Sequence, residues 1–358
     1  MNASTDTMTR APAANPPAAP HATHRYRMLL RREYWEHKGG FLWAPLVAGA
    51  ISLGLTLLFA IIALVAAHRA AAGGELEIDG EMMVNGLDLG LITSRLGPEE
   101  MRQLGAGLDV SLLMASSWPF IVLAFVVFFY CLGALYDERK DRSVLFWKSL
   151  PLSDRDTVLS KTISAAVVAP ALATVAAIAT MYGFMLLVSA IVLAHGGNPV
   201  TLLWGPASPL YLAAHFIAAI PVYAVWALPT IGWLLLCSAW ARSKPFLWAV
   251  MIPVFAGVIV SWFDLMEFFD LETLWFWKNV VGRSLLSVVP IGWLDALDLQ
   301  GMAAMGRFKF ESAADIRGVL NLKVVYSAFA SPKMWIGAAA GVAMILAAIR
   351  LRRWRDEG

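Results

Sequence analysis

Charge is what this chain lacks over its longest stretch. Between Lys161 and Arg242 about eighty residues pass without one Asp, Glu, Lys or Arg, and charged residues make up 15% of the whole against 59% hydrophobic. Soluble domains carry roughly 25% charged residues, and a charge at the centre of a bilayer costs roughly 2.5–3.5 kcal/mol on insertion scales. An uncharged run of this length therefore excludes an ordinary water-soluble fold and indicates repeated passage through hydrocarbon. Net charge is scarce too. A formal +2 gives no cationic surplus for a nucleic-acid backbone, so no nucleic-acid partner is expected. Cysteine is nearly absent: Cys131 and Cys237 lie in apolar runs without CxxC or Cys/His spacing, which excludes a zinc site or a redox pair and leaves packing. The sequence contains no GxxxxGK[ST], HExxH or GxSxG and no His-carboxylate cluster at metal-ligand spacing, so no catalytic site, resident metal or cofactor is expected. Residues 1–23, rich in Ala, Pro, Thr and Asn, lack the apolar core of a secretory signal and read as a disordered cytoplasmic tail.

What is present is a set of hydrophobic runs. Crossing about 30 Å of hydrocarbon takes roughly twenty helical residues. That criterion selects six spans, near residues 43–66, 112–135, 163–193, 210–240, 246–263 and 333–350. The third and fourth are too long for one straight crossing, so they should tilt, project into water, or kink at Pro170, Pro221 or Pro229, and either could split in two. Basic residues mark cytoplasmic loops. They cluster before the first span (Arg25, Arg27, Arg31, Arg32, Lys38), between the second and third, at Arg242 and Lys244, and in a tail at 351–358 that follows Arg350. The segment 67–111 is acidic and reads as external, as does 264–332, which places both termini in the cytoplasm. Within the latter, residues 280–294 form an apolar stretch broken by Gly282, Arg283 and Pro290. It reads either as a re-entrant piece lining a pathway mouth or as a helix on the outer surface.

Two cytoplasmic segments stand out. Residues 24–40 place Tyr26, Leu29, Leu30 and Tyr34 on one helical face with Trp35 beside it and arginines elsewhere, which suits an interfacial amphipathic helix turning into the first span at Gly39–Gly40. Topological anchoring alone would also explain its basic residues. The block Tyr136–Lys161 holds five acidic and six basic residues, a balance that argues for contact with a protein rather than with headgroups. Val144, Leu145, Phe146 and Trp147 form an apolar knob amid those charges; Leu150–Pro151 should end a short helix, and Ser153 or Asp154 should cap the next.

This order of a surface helix, a span, an external loop, a second span, a mixed-charge block with a Leu-Pro-Leu-Ser step and a Lys resembles the permease subunit of type-2 ABC exporters. The resemblance covers most of the chain. It implies an all-α polytopic membrane protein of six transmembrane helices with both termini inside, in a bacterial cytoplasmic (inner) membrane. It also implies that the block is a coupling helix seated in an ABC ATP-binding subunit, matched here by Glu138, Arg139, Ser143, Leu150, Pro151, Ser153 and Lys161, with Asp141, Arg142, Phe146 and Trp147 in the same contact. ATP and Mg would reside on that partner, and a second permease protomer would complete the pathway. A cargo pathway in such a protein should be poor in charge. His215, Tyr223, Trp226 and Arg283 are candidates to line it, although a satisfied core histidine and aromatic packing would account for the first three equally simply. Two other classes remain open: a non-transporting scaffold or sensor with a ligand-binding external region, and a secondary carrier, which the dearth of intramembrane charge disfavours.

Overall fold

The computed structural model describes residues 22–72, 77–78, 81–82, 97–142, 153–266, 272–297 and 321–354. Almost all of these are helical, and six helices are long and apolar enough to cross a membrane, so the chain is a multi-pass membrane protein. Besides turns, the described residues include one two-residue antiparallel pair, β1 (Glu77–Ile78) with β2 (Glu81–Met82).

Helix α1 (Ala22–Glu36) leads through a π-helical turn, Gly39–Trp43, into the first span, α2 (Ala44–Ala72). Gly39–Gly40 thus opens the turn into the first span as a continuous wide helical turn. The second span, α3 (Pro98–Gly133), starts well before residue 112. Its start is chemically marked: Pro98 occupies the first turn, where its missing N–H is harmless, and the Glu100 carboxylate accepts from Gly97 N at 2.8 Å. Residues 98–111 therefore belong to a helix about 54 Å long, far more than hydrocarbon requires, and not to an external loop. A short helix, α4 (Tyr136–Lys140), follows, ended by Arg142 with φ 55°, a left-handed conformation that stops helix propagation.

The third span begins earlier than residue 163, at the helix start for which Ser153 or Asp154 is the expected cap. Ser153 Oγ accepts from Asp156 N at 3.1 Å and caps α5 (Asp154–Ile163), which continues through a π-turn, Ser164–Val168, into α6 (Ala169–Ala194). Pro170 explains the π-turn: its ring would strike the carbonyl four residues back, and one extra residue per turn relieves that clash without breaking the helix. The fourth span divides into α7 (Pro209–Trp226) and α8 (Leu228–Trp240) at Ala227, just before Pro229, while Pro221 is carried inside α7. Next come α9 (Pro245–Leu265), α10 (Thr273–Phe276), a π-turn Trp277–Gly282 and α11 (Arg283–Leu286). A 3₁₀ turn at Gly292–Ala296, α12 (Leu322–Ser327) and the last span, α13 (Pro332–Trp354), complete the described chain.

Packing is densest between α8 and α13 and among α2, α3 and α6. The first pair meets backbone to backbone: a Cβ on Gly232 would lie 2.4 Å from Gly341 O, and a Cβ on Gly341 would lie 2.4 Å from Leu228 C. Small residues permit this approach where lipid gives helices no hydrophobic reason to associate. By contrast α2 and α9 turn most of their apolar surface outward, among them Ile51, Phe59, Ile62, Phe255, Ile259 and Trp262. The stretch at 280–294 is not a helix resting on the surface. Thr230 Oγ1 donates to Arg283 O at 2.9 Å and accepts from Ser287 N at 2.9 Å, and Val288 and Trp293 are buried in the bundle. Thr230 stands ten residues from the end of α8, about 15 Å along its axis, so residues 283–288 reach deep between the spans.

Candidate functional site

Two features of opposite character occupy opposite halves of the bundle. The first is a buried charge cluster where α1, the end of α3, α5 and the end of α13 meet. Glu33 (1% exposed) and Lys161 (2%) are paired at 3.0 Å. Lys161 also meets Glu138 at 3.1 Å. Arg352 bridges onward, its Nη1 2.7 Å from Glu138 and its Nε 3.0 Å from Asp154. Arg32 lies 3.7 Å from Glu138 and 3.2 Å from Glu36. Tyr130 donates its hydroxyl to Glu33 at 2.7 Å, and its ring is held edge-on by Phe41 at 4.9 Å and His37 at 4.7 Å.

The reason for this arrangement is local. Glu33 lies one turn beyond Leu29 on α1, so the face that buries Leu29 carries the carboxylate inward with it. Charges at this depth survive only when paired, and here Glu33, Glu138 and Asp154 are set against Lys161, Arg352 and Arg32. A peripheral hydrogen bond continues the contact: Tyr26 donates to Asp156 Oδ1 at 2.7 Å. That bond, together with burial, raises the Tyr26 phenol above its ordinary value. Ser238 fastens the neighbouring turn, accepting from Leu135 N at 3.0 Å and Tyr136 N at 2.9 Å, while Arg139 donates to the carbonyls of Ser238 and Ala241 at the end of α8.

The residues expected to make an outward contact thus divide. Glu138, Arg139 and Lys161 turn into the bundle, where they tie helices together; Asp141, Arg142 and Ser153 are exposed. Ser143, Phe146, Trp147, Leu150 and Pro151 lie outside the described residues. On α1, Leu29 is buried and Leu30, Tyr26 and Tyr34 are half-buried, as the helical face requires, whereas Trp35 is exposed. Glu33, Tyr130, Asp154 and Arg352 were not among the sequence candidates, because nothing in a helical pattern distinguishes a charge that pairs internally from one that faces water. Asp109 is a further case: it reads as part of an acidic external loop, yet it is buried on α3 and accepts from Ser208 N at 2.8 Å, at the start of α7.

The second feature is an apolar cavity of about 450 Å³ walled by α3, α6, α7 and residues 289–294. Leu113, Phe120, Leu123, Ile220 and Leu294 are among the residues that line it, and among the described residues no Asp, Glu, Lys or Arg does so. His215 and Tyr223 both reach it. Tyr223 donates its hydroxyl to Val288 O at 3.0 Å. His215 is 4% exposed; its Nδ1 donates to Tyr211 O at 2.7 Å, and its Nε2 has no partner among the described residues. Trp226 and Arg283, the other two candidates, meet each other instead. The guanidinium carbon sits 3.5 Å from the centre of the Trp226 ring. Gly337 makes room for that guanidinium, since any Cβ there would overlap it. Trp226 and Arg283 therefore act as a clamp between α7, α11 and α13 beside the cavity, not as part of its wall.

Compared with family models, with curated proteins and with solved structures, the chain matches none. Among the described residues no group of His, Cys, Asp and Glu could hold a metal ion.

Proposed function

We propose that this chain is the membrane-spanning permease subunit of an ATP-driven exporter, working as a dimer with separate ATP-binding subunits, in a bacterial cytoplasmic membrane with both termini inside. The observation that supports this reading most is the position of the charge cluster. Glu138 and Lys161 stand near the two ends of the 136–161 block, and each is paired to an element outside it: Lys161 to Glu33 of α1, Glu138 to Arg352 of α13. Force applied to the block by a nucleotide-driven partner would pass through short, dry ion pairs into the first helix and the last span together. A loop serving only as a connection has no need of such pairs. Among the described residues the cavity wall carries no charge, which is compatible with an amphipathic or lipid-like cargo and disfavours free ions. ATP and Mg would act on the partner chain, and this chain would contribute no catalytic group.

Gentle extraction of the tagged chain from its native membrane tests the proposal. A stoichiometric ATP-hydrolysing subunit should co-purify, and the Phe146→Ala, Trp147→Ala double variant should lose it while still inserting. Recovery of the intact chain with no nucleotide-binding partner would reject the exporter reading in favour of a membrane scaffold or sensor.

A further inference from the structure

We infer that the cavity around His215 is a binding site for an uncharged, single-chain amphiphile whose head carries a hydroxyl or amide N–H. The inference rests on the permease reading only in calling such a ligand cargo; the binding itself stands on the geometry. His215 Nδ1 holds its proton against Tyr211 O at 2.7 Å, so in the neutral ring the unpartnered Nε2 is an acceptor. A buried acceptor left unmatched is unfavourable; Nε2 itself exposes almost no surface, so a ligand donor would relieve it once the ring turns slightly toward the cavity. Two other hydroxyls at the cavity have their protons committed. Ser117 donates to Met114 O at 2.7 Å, and Tyr223 to Val288 O at 3.0 Å. Among the described residues the wall offers no cation to an anionic head and no carboxylate to a cationic one.

The remainder of the wall selects hydrocarbon. A cavity of about 450 Å³ falls within the roughly 300–1,000 Å³ of small-molecule pockets. Its lining offers water too few partners to hold it, since buried waters need roughly two to four hydrogen bonds each. The rim explains access: Ile121 and Ile291 line the cavity yet are 51% and 63% exposed, so its mouth opens on the apolar flank of the bundle. A ligand would enter sideways from the membrane with its chain among Leu113, Phe120 and Leu123 and its head at His215.

Photo-crosslinking on the purified chain in nanodiscs, with no ATPase present, tests this directly. The probe is a monoacylglycerol with a diazirine in a sixteen-carbon chain, compared with a diazirine alkane of the same length lacking hydroxyls. Adducts of the monoacylglycerol should concentrate on peptides containing residues 113–123 and 215–223. They should fall about five-fold in His215→Leu, the loss of one neutral hydrogen bond, and largely return in His215→Gln, which restores an acceptor. Ala219→Trp should abolish them by filling the cavity; where that variant fails to insert, Ile121→Trp at the mouth replaces it. Adducts spread equally along α2 and α9, labelling unchanged in His215→Leu, or equal labelling by the alkane would each overturn the inference. Because no ATPase is present, these results leave the co-purification result independent.

Discussion

The two halves of this bundle solve the problem of buried polarity in contrary ways. At one end three carboxylates and three cations interlock, and the helices they join are fixed by directional pairs at 2.7–3.7 Å. In the other half, among the described residues, the wall between α3, α6 and α7 carries no charge, and one buried imidazole nitrogen is left without a partner. A dense ion-pair lattice resists relative movement until all its members move together, whereas an apolar wall lets side chains slide with little change in energy. Under the proposed permease function the first region would transmit movement and the second would accommodate cargo.

The contrast is broken most severely by removing one charge from the cluster. Lys161→Met leaves Glu33 and Glu138 facing each other without their shared cation, and breaking a buried pair from one side costs about 3–5 kcal/mol. The expected result is a large fall in thermal unfolding temperature in detergent, with the triple variant Glu33→Gln, Glu138→Gln, Lys161→Met recovering much of it. A triple variant no better than Lys161→Met would mean that the cluster is not electrostatically balanced. A smaller loss is expected at the contact where backbones meet: Gly341→Leu should force α8 and α13 apart at a cost of about 1–3 kcal/mol, and Gly341→Ala should cost less. Equal unfolding temperatures for all three proteins would show that the two helices do not approach that closely. In the other half, Arg283→Leu removes the guanidinium from Trp226 at a cost of about 0.5–2 kcal/mol, read as a modest unfolding shift that leaves the cluster's response to Lys161→Met unchanged. Non-additive losses in the double variant would dissolve the distinction between the two regions.

The sequence made the six crossings legible because their signal is hydrophobic length, which composition reports directly. It placed the start of α3 fourteen residues late because the hydropathy of residues 98–111 is low, although Gly97, Pro98, Glu99 and Glu100 spelled out a helix N-terminus. It anticipated a break near Pro229, since proline acts through local sterics. Half of the charge cluster could not be read. Glu33 and Arg352 are more than three hundred residues apart, and only folding sets both beside the 136–161 block. Lys161 was legible as a candidate but assigned outward, because a balanced charge block looks the same whether its complements belong to another protein or to the same chain. His215 was legible as a titratable group in an apolar run; the unpartnered Nε2 that makes it interesting depends on Tyr211 lying one turn earlier.

The smallest effect sharpens the boundary of the rigid region. Tyr26 donates to Asp156 across the junction of α1 and α5, at the edge of the cluster. Tyr26→Phe deletes a single hydrogen bond and should cost about 1 kcal/mol. The pH dependence identifies the donor. Because the folded phenol titrates above its ordinary value, its contribution is complete below the unfolded pKa of roughly 10 and fades as pH rises through the folded one. Wild type and Tyr26→Phe should therefore differ by a constant unfolding shift from neutral pH to about 9 and converge beyond about 10. A difference already fading between pH 7 and 8 would mean that another group holds α1 to α5. A shift constant to about pH 9 and lost beyond about 10 would show that the Tyr26 hydroxyl itself ties α1 to the start of the third span.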